Sequence, residues 1–176
     1  MRLPSRIACF IAIVASVLLA AALPAAAAAP ITTHLKFLHS QKCLETASNT
    51  GHNGARVQQW NCAAQPGAYW IFNLHHYNEN GKIPVYWIQH KEHPAQCLKI
   101  AGPSSANGAR AELYTCAGQR EAYWEVRLKE DDRRYAYLRN EFTGKCLQIA
   151  AGSQANGAVA EQWDCQGQQN AYWNFE

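Results

Sequence analysis

The 176-residue chain carries 16 Lys and Arg against 13 Asp and Glu, a formal net charge of +3. Two of those cations, Arg2 and Arg6, stand at the extreme N-terminus, so the rest of the chain is close to neutral. That balance excludes the basic field a nucleic-acid partner requires, and Arg133-Arg134 beside Asp131-Asp132 is a mixed, solvated loop.

Residues 1–29 are set apart from the rest of the chain. Arg2 and Arg6 precede an apolar run over residues 7–23, and residues 25–29, all Ala, offer several small-x-small cleavage options before Pro30. This is the pattern of a secretory signal peptide. The run is short for a membrane span and no basic stop signal comes after it. The mature chain, residues 30–176, is therefore expected to be extracellular and not inserted in a membrane. It is long enough for one domain with its own core, and it is expected to be a monomer.

From there the sequence repeats three times, over about 35–76, 86–128 and 135–176. The first copy holds Cys43-Leu44-Glu45, Asn53-Gly54-Ala55, Gln58-Gln59-Trp60-Asn61-Cys62 and Ala68-Tyr69-Trp70. The second holds Cys97-Leu98-Lys99, Asn107-Gly108-Ala109, Glu112-Leu113-Tyr114-Thr115-Cys116 and Ala122-Tyr123-Trp124. The third holds Cys146-Leu147-Gln148, Asn156-Gly157-Ala158, Glu161-Gln162-Trp163-Asp164-Cys165 and Ala171-Tyr172-Trp173. The two cysteines stand 19 residues apart in every copy. Units this small, sharing one internal ruler, must bury a common core.

Cys9 leaves with the leader, and six cysteines remain, two per copy. An even number in an exported chain implies disulfides, and the threefold repeat favours the local pairing Cys43–Cys62, Cys97–Cys116 and Cys146–Cys165. Each such loop is worth about 3 kcal/mol by the loop-entropy model. No Cys-x-x-Cys and no regularly placed His accompany them, so neither a metal site nor a cofactor is expected.

The elements read as strands throughout. Residues 35–38, 86–89 and 135–138 open the copies; the Cys-Leu, 57–60, 111–114, 160–163 and Tyr-Trp segments come next, giving four strands per copy and about twelve in all. Asn-Gly between the second and third strands supplies the positive φ that tight hairpin turns need. Residues 77–84, with Asn78, Asn80, Gly81 and Pro84, read as a loop. Trp70, Trp124 and Trp173 recur identically and are candidates for the core, leaving Tyr69, Tyr123 and Tyr172 on the other side of their strands.

Catalysis finds little support. The seven histidines do not recur with the copies, and His75-His76, His90 and His93 read as exposed loop residues. Gly-x-Ser-x-Gly and His-Glu-x-x-His motifs are lacking. Glu45, Glu112 and Glu161 are spread over three copies, which does not suggest a glycosidase pair. The chain is expected not to be an enzyme.

Cys-Leu-x-Ile/Thr, Asn-Gly, Gln/Glu-x-Trp/Tyr-x-Cys and a Trp eight residues later resemble the ricin-B-type β-trefoil lectins. The resemblance spans nearly all of the mature chain and implies an all-β β-trefoil. It also implies up to three shallow sugar pockets. Carried over residue by residue, the acid after Cys-Leu is Glu45, Lys99 or Gln148, so the family's Asp is absent from every copy. The polar residue before the ring is Gln58, Glu112 or Glu161, and the stacking ring is Trp60, Tyr114 or Trp163. The family's late Asn is Gly67, Glu121 or Asn170. The resemblance thus implies carbohydrate-binding sets Glu45, Gln58, Trp60 and Gln148, Glu161, Trp163, Asn170, with Lys99, Glu112 and Tyr114 as a second-tier set. Its partner would be a glycan or polysaccharide, bound weakly at several lobes. The alternative is a secreted trefoil that binds or inhibits a protein partner.

Overall fold

The computed structural model describes residues 29–78 and 81–175, so residues 1–28 of the expected leader lie outside it. The first copy folds as β1 (Ile31–Thr33), β2 (Leu35–Phe37), β3 (Lys42–Thr46), β4 (Ala55–Asn61) and β5 (Trp70–Asn78). The second supplies β6 (Ile83–His90), β7 (Gln96–Ile100), β8 (Ala111–Thr115) and β9 (Tyr123–Leu128). The third supplies β10 (Ala136–Asn140), β11 (Cys146–Ile149), β12 (Ala160–Trp163) and β13 (Trp173–Phe175).

Antiparallel pairing runs β1–β5–β6–β9–β10–β13–β2. Only His34 separates β1 from β2, so the ring closes on itself as a barrel and leaves no free edge. The hairpins β3–β4, β7–β8 and β11–β12 cap one end. They hold one another through Ala55 opposite Leu113, Gln58 opposite Val159 and Arg110 opposite Glu161. This is an all-β trefoil. The thirteenth strand among the described residues arises because the first barrel strand breaks at His34.

In the stretch expected as a loop over residues 77–84, Tyr77, Asn78, Ile83 and Pro84 are strand instead. Tyr77 pairs with Pro84 and Asn78 with Ile83, after a register shift between Leu74 and His76. Pro84 is tolerated at the end of such a ribbon because an edge position demands no N–H from it.

Period-two alternation decides what each cap strand buries. In β4, Ala55, Val57 and Gln59 point inward, while Arg56, Gln58 and Trp60 point outward. Trp70, Trp124 and Trp173 are fully buried with Leu44, Leu98 and Leu147. The indole of Trp70 donates to Leu44 O at 2.9 Å and that of Trp124 to Leu98 O at 2.8 Å, tying barrel to cap. The three disulfides are the local ones, with Cα–Cα separations of 5.0, 5.2 and 5.2 Å.

The Asn-Gly pairs do have a positive φ at Gly54 (82°), Gly108 (84°) and Gly157 (80°). They do not join the hairpin strands directly. Each closes a four-residue turn at the end of a longer loop, as with Ala55 N donating to His52 O at 3.1 Å. Each turn then leans on the next lobe. Gly54 N donates to Leu113 O (2.8 Å), Gly108 N to Gln162 O (2.9 Å) and Gly157 N to Gln59 O (2.9 Å).

Two fully buried glutamines reinforce these contacts. Gln59 Nε2 donates to Ser153 O (2.7 Å) and Ala155 O (2.9 Å) while its Oε1 accepts from Ser40 (2.7 Å). Gln162 repeats this with Ser104 O and Ala106 O (both 2.9 Å) and Thr143 (2.8 Å). Polar groups so deeply buried are tolerable because every one is bonded. The middle lobe has Leu113 at this position. The loop of the first lobe is held by histidines instead.

His90 is therefore not the exposed loop residue expected from the sequence. It is fully buried, edge-on to Trp70 at 5.7 Å. His93 N donates to His90 Nδ1 (3.2 Å), so His90 carries its proton on Nε2 and bonds Thr46 Oγ1 (2.9 Å). Burial first, and then His93 stacked at 5.0 Å, lower its pKa to about 4 against a partial opposing effect of Glu92. His93 Nε2 donates to Asn49 O at 3.0 Å. Gly51 permits that approach, since a Cβ there would lie 2.2 Å from His93 Cγ.

Candidate functional site

The outward face of each cap hairpin carries a cysteine, a polar pair and a ring, and strand register sets their order. In the first lobe Cys43 lies opposite Trp60 and Glu45 opposite Gln58. In the second, Cys97 faces Tyr114 and Lys99 faces Glu112. In the third, Cys146 faces Trp163 and Gln148 faces Glu161. Residues two apart share a face, so the ring and the polar pair of each lobe lie on one face beside its own disulfide.

In the first lobe Glu45 and Gln58 are buried, while Trp60 is 43% exposed. Gln58 Nε2 donates to Glu45 Oε1 at 3.0 Å. The other carboxylate oxygen accepts from Gln65 Nε2 at 3.0 Å. Gln65 is fixed in turn by Asn61 O (2.9 Å) and Ala63 N (2.8 Å). The pocket above is about 810 Å³, floored by Trp60 and the loop holding Thr46 and Asn49. Gly67 takes the place of the family's late Asn; a Cβ there would stand 3.0 Å from Thr46 O.

The third lobe exchanges the two residue types across the same register. Gln148 Nε2 donates to Glu161 Oε1 at 3.0 Å, and Gln148 Oε1 accepts from Gln168 Nε2 at 2.9 Å. Gln168 is held by Asp164 O (3.0 Å) and Gln166 N (2.8 Å). Trp163 is 38% exposed and lines a pocket of about 590 Å³ with Asn170 and Ala151. Asn170 Nδ2 donates to Ile149 O at 2.6 Å, which fixes the amide. In both lobes a carboxylate stands ready beside a half-exposed indole, on β3 in one and β12 in the other.

The second lobe differs in kind. Lys99 and Glu112 are both buried, with Nζ 3.8 Å from Oε1. Arg110 reaches the other oxygen of Glu112, also at 3.8 Å, and Lys99 Nζ lies 4.6 Å from the Tyr114 ring centroid. Gln119 occupies the place of Gln65 and Gln168 but donates only to Thr115 O (2.9 Å).

Sequence reasoning passed over Gln65, Gln119 and Gln168. Their signal was available: the same residue stands three positions after the second cysteine in every copy. It also missed the neighbouring wall. A Cβ at Gly157 would stand 3.8 Å from Trp60, and one at Gly108 4.0 Å from Trp163, so each ring packs beside the turn of the preceding lobe. Tyr172 lines a separate groove of about 420 Å³ with Tyr137 and Lys129 on the barrel flank. At the corresponding positions of the first and second copies, Tyr69 pairs with His34 (4.0 Å) and Tyr123 with Trp87 (5.8 Å). Among the described residues no group of three or more His, Cys, Asp or Glu is placed to hold a metal.

A closed barrel capped by three hairpins, each presenting a ring and a polar pair, defines a β-trefoil with lectin-like pockets. A model of the ricin-type beta-trefoil lectin domain matches residues 84–176, and one described as ricin-type beta-trefoil lectin domain-like matches residues 28–114. The chain belongs to the ricin-type β-trefoil lectin family. Among solved structures it is similar to the designed threefold-symmetric protein ThreeFoil (TM-score 0.72, 23% identity, 82% of this chain and 96% of that one). It is also similar to the Macrolepiota procera ricin B-like lectin in complex with lactose (TM-score 0.67, 14% identity, 83% and 94%). A third likeness is to the exo-β-1,3-galactanase 1,3Gal43A from Clostridium thermocellum (TM-score 0.71, 19% identity), covering 88% of this chain but 31% of that one. No curated protein sequence matches the chain.

Proposed function

We propose that the protein is a secreted, non-catalytic carbohydrate-binding module whose first and third lobes hold a glycan or polysaccharide together. The observation that carries this is the same in both lobes: a half-exposed indole beside a carboxylate–amide pair whose geometry is already fixed. The indole offers the apolar platform for the C–H face of a pyranose. The fixed pair meets the sugar hydroxyls, each of which would otherwise cost about 1–3 kcal/mol on desolvation. Glu45, Gln58 and Trp60 act in one lobe; Gln148, Glu161, Trp163 and Asn170 act in the other. Membership of a lectin family supports the reading, as does the lactose of the Macrolepiota procera relative. Three disulfides fit an oxidising, extracellular setting.

Shallow pockets of this kind give about 4–6 kcal/mol per lobe, in the millimolar to high-micromolar range. Two on one rigid scaffold raise retention on a polysaccharide by roughly 10²–10⁴. The test is a glycan array on the oxidised mature protein, then retention on the polysaccharide that carries the best-bound unit. Trp60→Ala and Trp163→Ala should each weaken retention and the pair abolish it. Unchanged retention in the pair would remove the platforms from the mechanism. A folded wild type that binds no glycan would leave the protein-partner reading in its place.

A further inference from the structure

The Lys99 ammonium of the second lobe has no hydrogen-bond acceptor among the described residues. Its side chain is 10% exposed, and its contacts are the Glu112 carboxylate at 3.8 Å and the Tyr114 ring face at 4.6 Å. None of its three N–H donors is bonded among the described residues, which stands out against the neighbouring lobes. There the same register position is an acceptor: Glu45 accepts from Gln58 and Gln65, and Gln148 accepts from Gln168. Gln148 also donates to Glu161, whereas Lys99 can only donate, so the second lobe has no acceptor at this position. The charge balance changes with it. Glu112 has both Lys99 and Arg110 at 3.8 Å, and Glu121 stands where the third lobe has Asn170. Arg110 keeps a 64% exposed side chain, and Tyr114 remains 37% exposed beside them.

We infer that the second lobe is a site for a carboxylate-bearing sugar, read by Lys99 with Arg110 at the rim and Tyr114 as the platform. An ammonium donates to a neutral hydroxyl as well, but a carboxylate adds a full opposite charge to the bond and so is favoured over the hydroxyl. Glu112 orients the ammonium and is itself balanced by Arg110, which keeps it from repelling the ligand. The inference rests on the proposed role of the rings as sugar platforms. It assigns the middle lobe a different chemical class from the other two, so one molecule would read neutral and acidic units of a mixed polysaccharide.

The experiment removes the other lobes with Trp60→Ala/Trp163→Ala and titrates methyl galacturonoside, methyl glucuronoside and N-acetylneuraminic acid. Each is compared with its own methyl ester, which deletes the charge and little else, by ligand-observed NMR on the oxidised protein. At least one acid should bind about tenfold more tightly than its ester, with the preference shrinking as salt rises. Lys99→Met should bring that ratio to about one, Lys99→Arg should retain part of it, and Tyr114→Ala should weaken acid and ester together. Thermal melts of each variant establish that the fold is intact. Equal binding of acid and ester, or no binding of any acid, overturns the inference. So does a gain of neutral-sugar binding in Lys99→Met, which would make Lys99 a plug over Tyr114. The two readings fail separately. Retention of neutral polysaccharide by Trp60 and Trp163 without an acid preference sinks only this one, and the reverse result sinks only the proposed role of the first and third lobes.

Discussion

The first and third lobes on one side, and the second on the other, share a skeleton and differ in their pockets. All three keep the disulfide, the Asn-Gly turn and the buried Trp with its own preceding Tyr. In the outer lobes the pocket centre is a carboxylate held by amides; in the middle one it is an ammonium beside a carboxylate. The residues that stay constant each touch a neighbouring strand or lobe, so a change in one is felt at once in packing. The side chains of the outward pair bond each other and the glutamine just beyond their hairpin, none of them part of the barrel. Charge can be inverted there without disturbing the barrel, and that freedom is what lets one trefoil carry unlike sites.

If skeleton and pocket are separable in this way, the largest effect should come from the skeleton, whichever lobe is struck. Trp70→Ala and Trp124→Ala should each cost about 3–5 kcal/mol in denaturant unfolding, despite unlike pockets above them. Trp173→Ala should cost about 1 kcal/mol less, because its buried indole N–H has no partner to lose among the described residues. Trp163→Ala should shift the midpoint by no more than about 0.5 kcal/mol. A Trp163→Ala protein as unstable as Trp124→Ala would erase the line between scaffold and site.

The next effect is again on the scaffold and is confined to one lobe boundary. His90 lies opposite Trp70, where the other lobes place Asn140 and Phe37 opposite Trp124 and Trp173. Its folded pKa of about 4 lies below the ordinary 6.5, so between those values the unfolded chain binds the extra proton. Stability is therefore full above about pH 6.5 and falls as the pH drops toward 4, by at most about 3 kcal/mol. Urea titrations at pH 7 and pH 4.5 should show this loss in the wild type. His90→Asn, which borrows the third lobe's residue, should remove most of it; an unchanged slope would place the acid sensitivity elsewhere, for instance at His39, whose pKa burial also lowers.

The threefold ruler made the fold legible, because cysteine spacing and recurring Trp residues report packing that every copy must satisfy. The outward pocket residues came from the family resemblance, and the strand register then places Glu45 opposite Gln58 beside Trp60, and Gln148 opposite Glu161 beside Trp163. What the chain did not disclose lies where one lobe grips another. Gln59 and Gln162 look like surface residues until their strand's inward face is known, and His90 looked like a loop residue for the same reason. Their partners are backbone carbonyls far away in sequence, which leave no mark on composition or spacing. Gln162→Leu, copying Leu113, tests that grip. It should cost about 1–3 kcal/mol, since Ser104 O and Ala106 O lose their donor. A stabilised variant would show that the loop needs no clamp.

The smallest effect separates the lobes most finely. Gln65, Gln119 and Gln168 brace the same turn in the same way, through Ala63 N, Ala117 N and Gln166 N. Replacing any of them by Ala should cost a similar amount of stability, about 1 kcal/mol. Their reach into the pockets differs. Gln65 holds the carboxylate of Glu45 and Gln168 holds the amide of Gln148, while the side-chain amide of Gln119 donates to Thr115 O. Gln65→Ala and Gln168→Ala should therefore also loosen the polar pair beside Trp60 and Trp163 and lower glycan retention severalfold. Gln119→Ala should leave binding by the second lobe nearly unchanged. Retention and melting temperature measured on the three variants give six values, of which only two should depart from a common stability loss. Equal retention in all three would mean that the pair is positioned by its strands alone, and the latch would then belong to the scaffold.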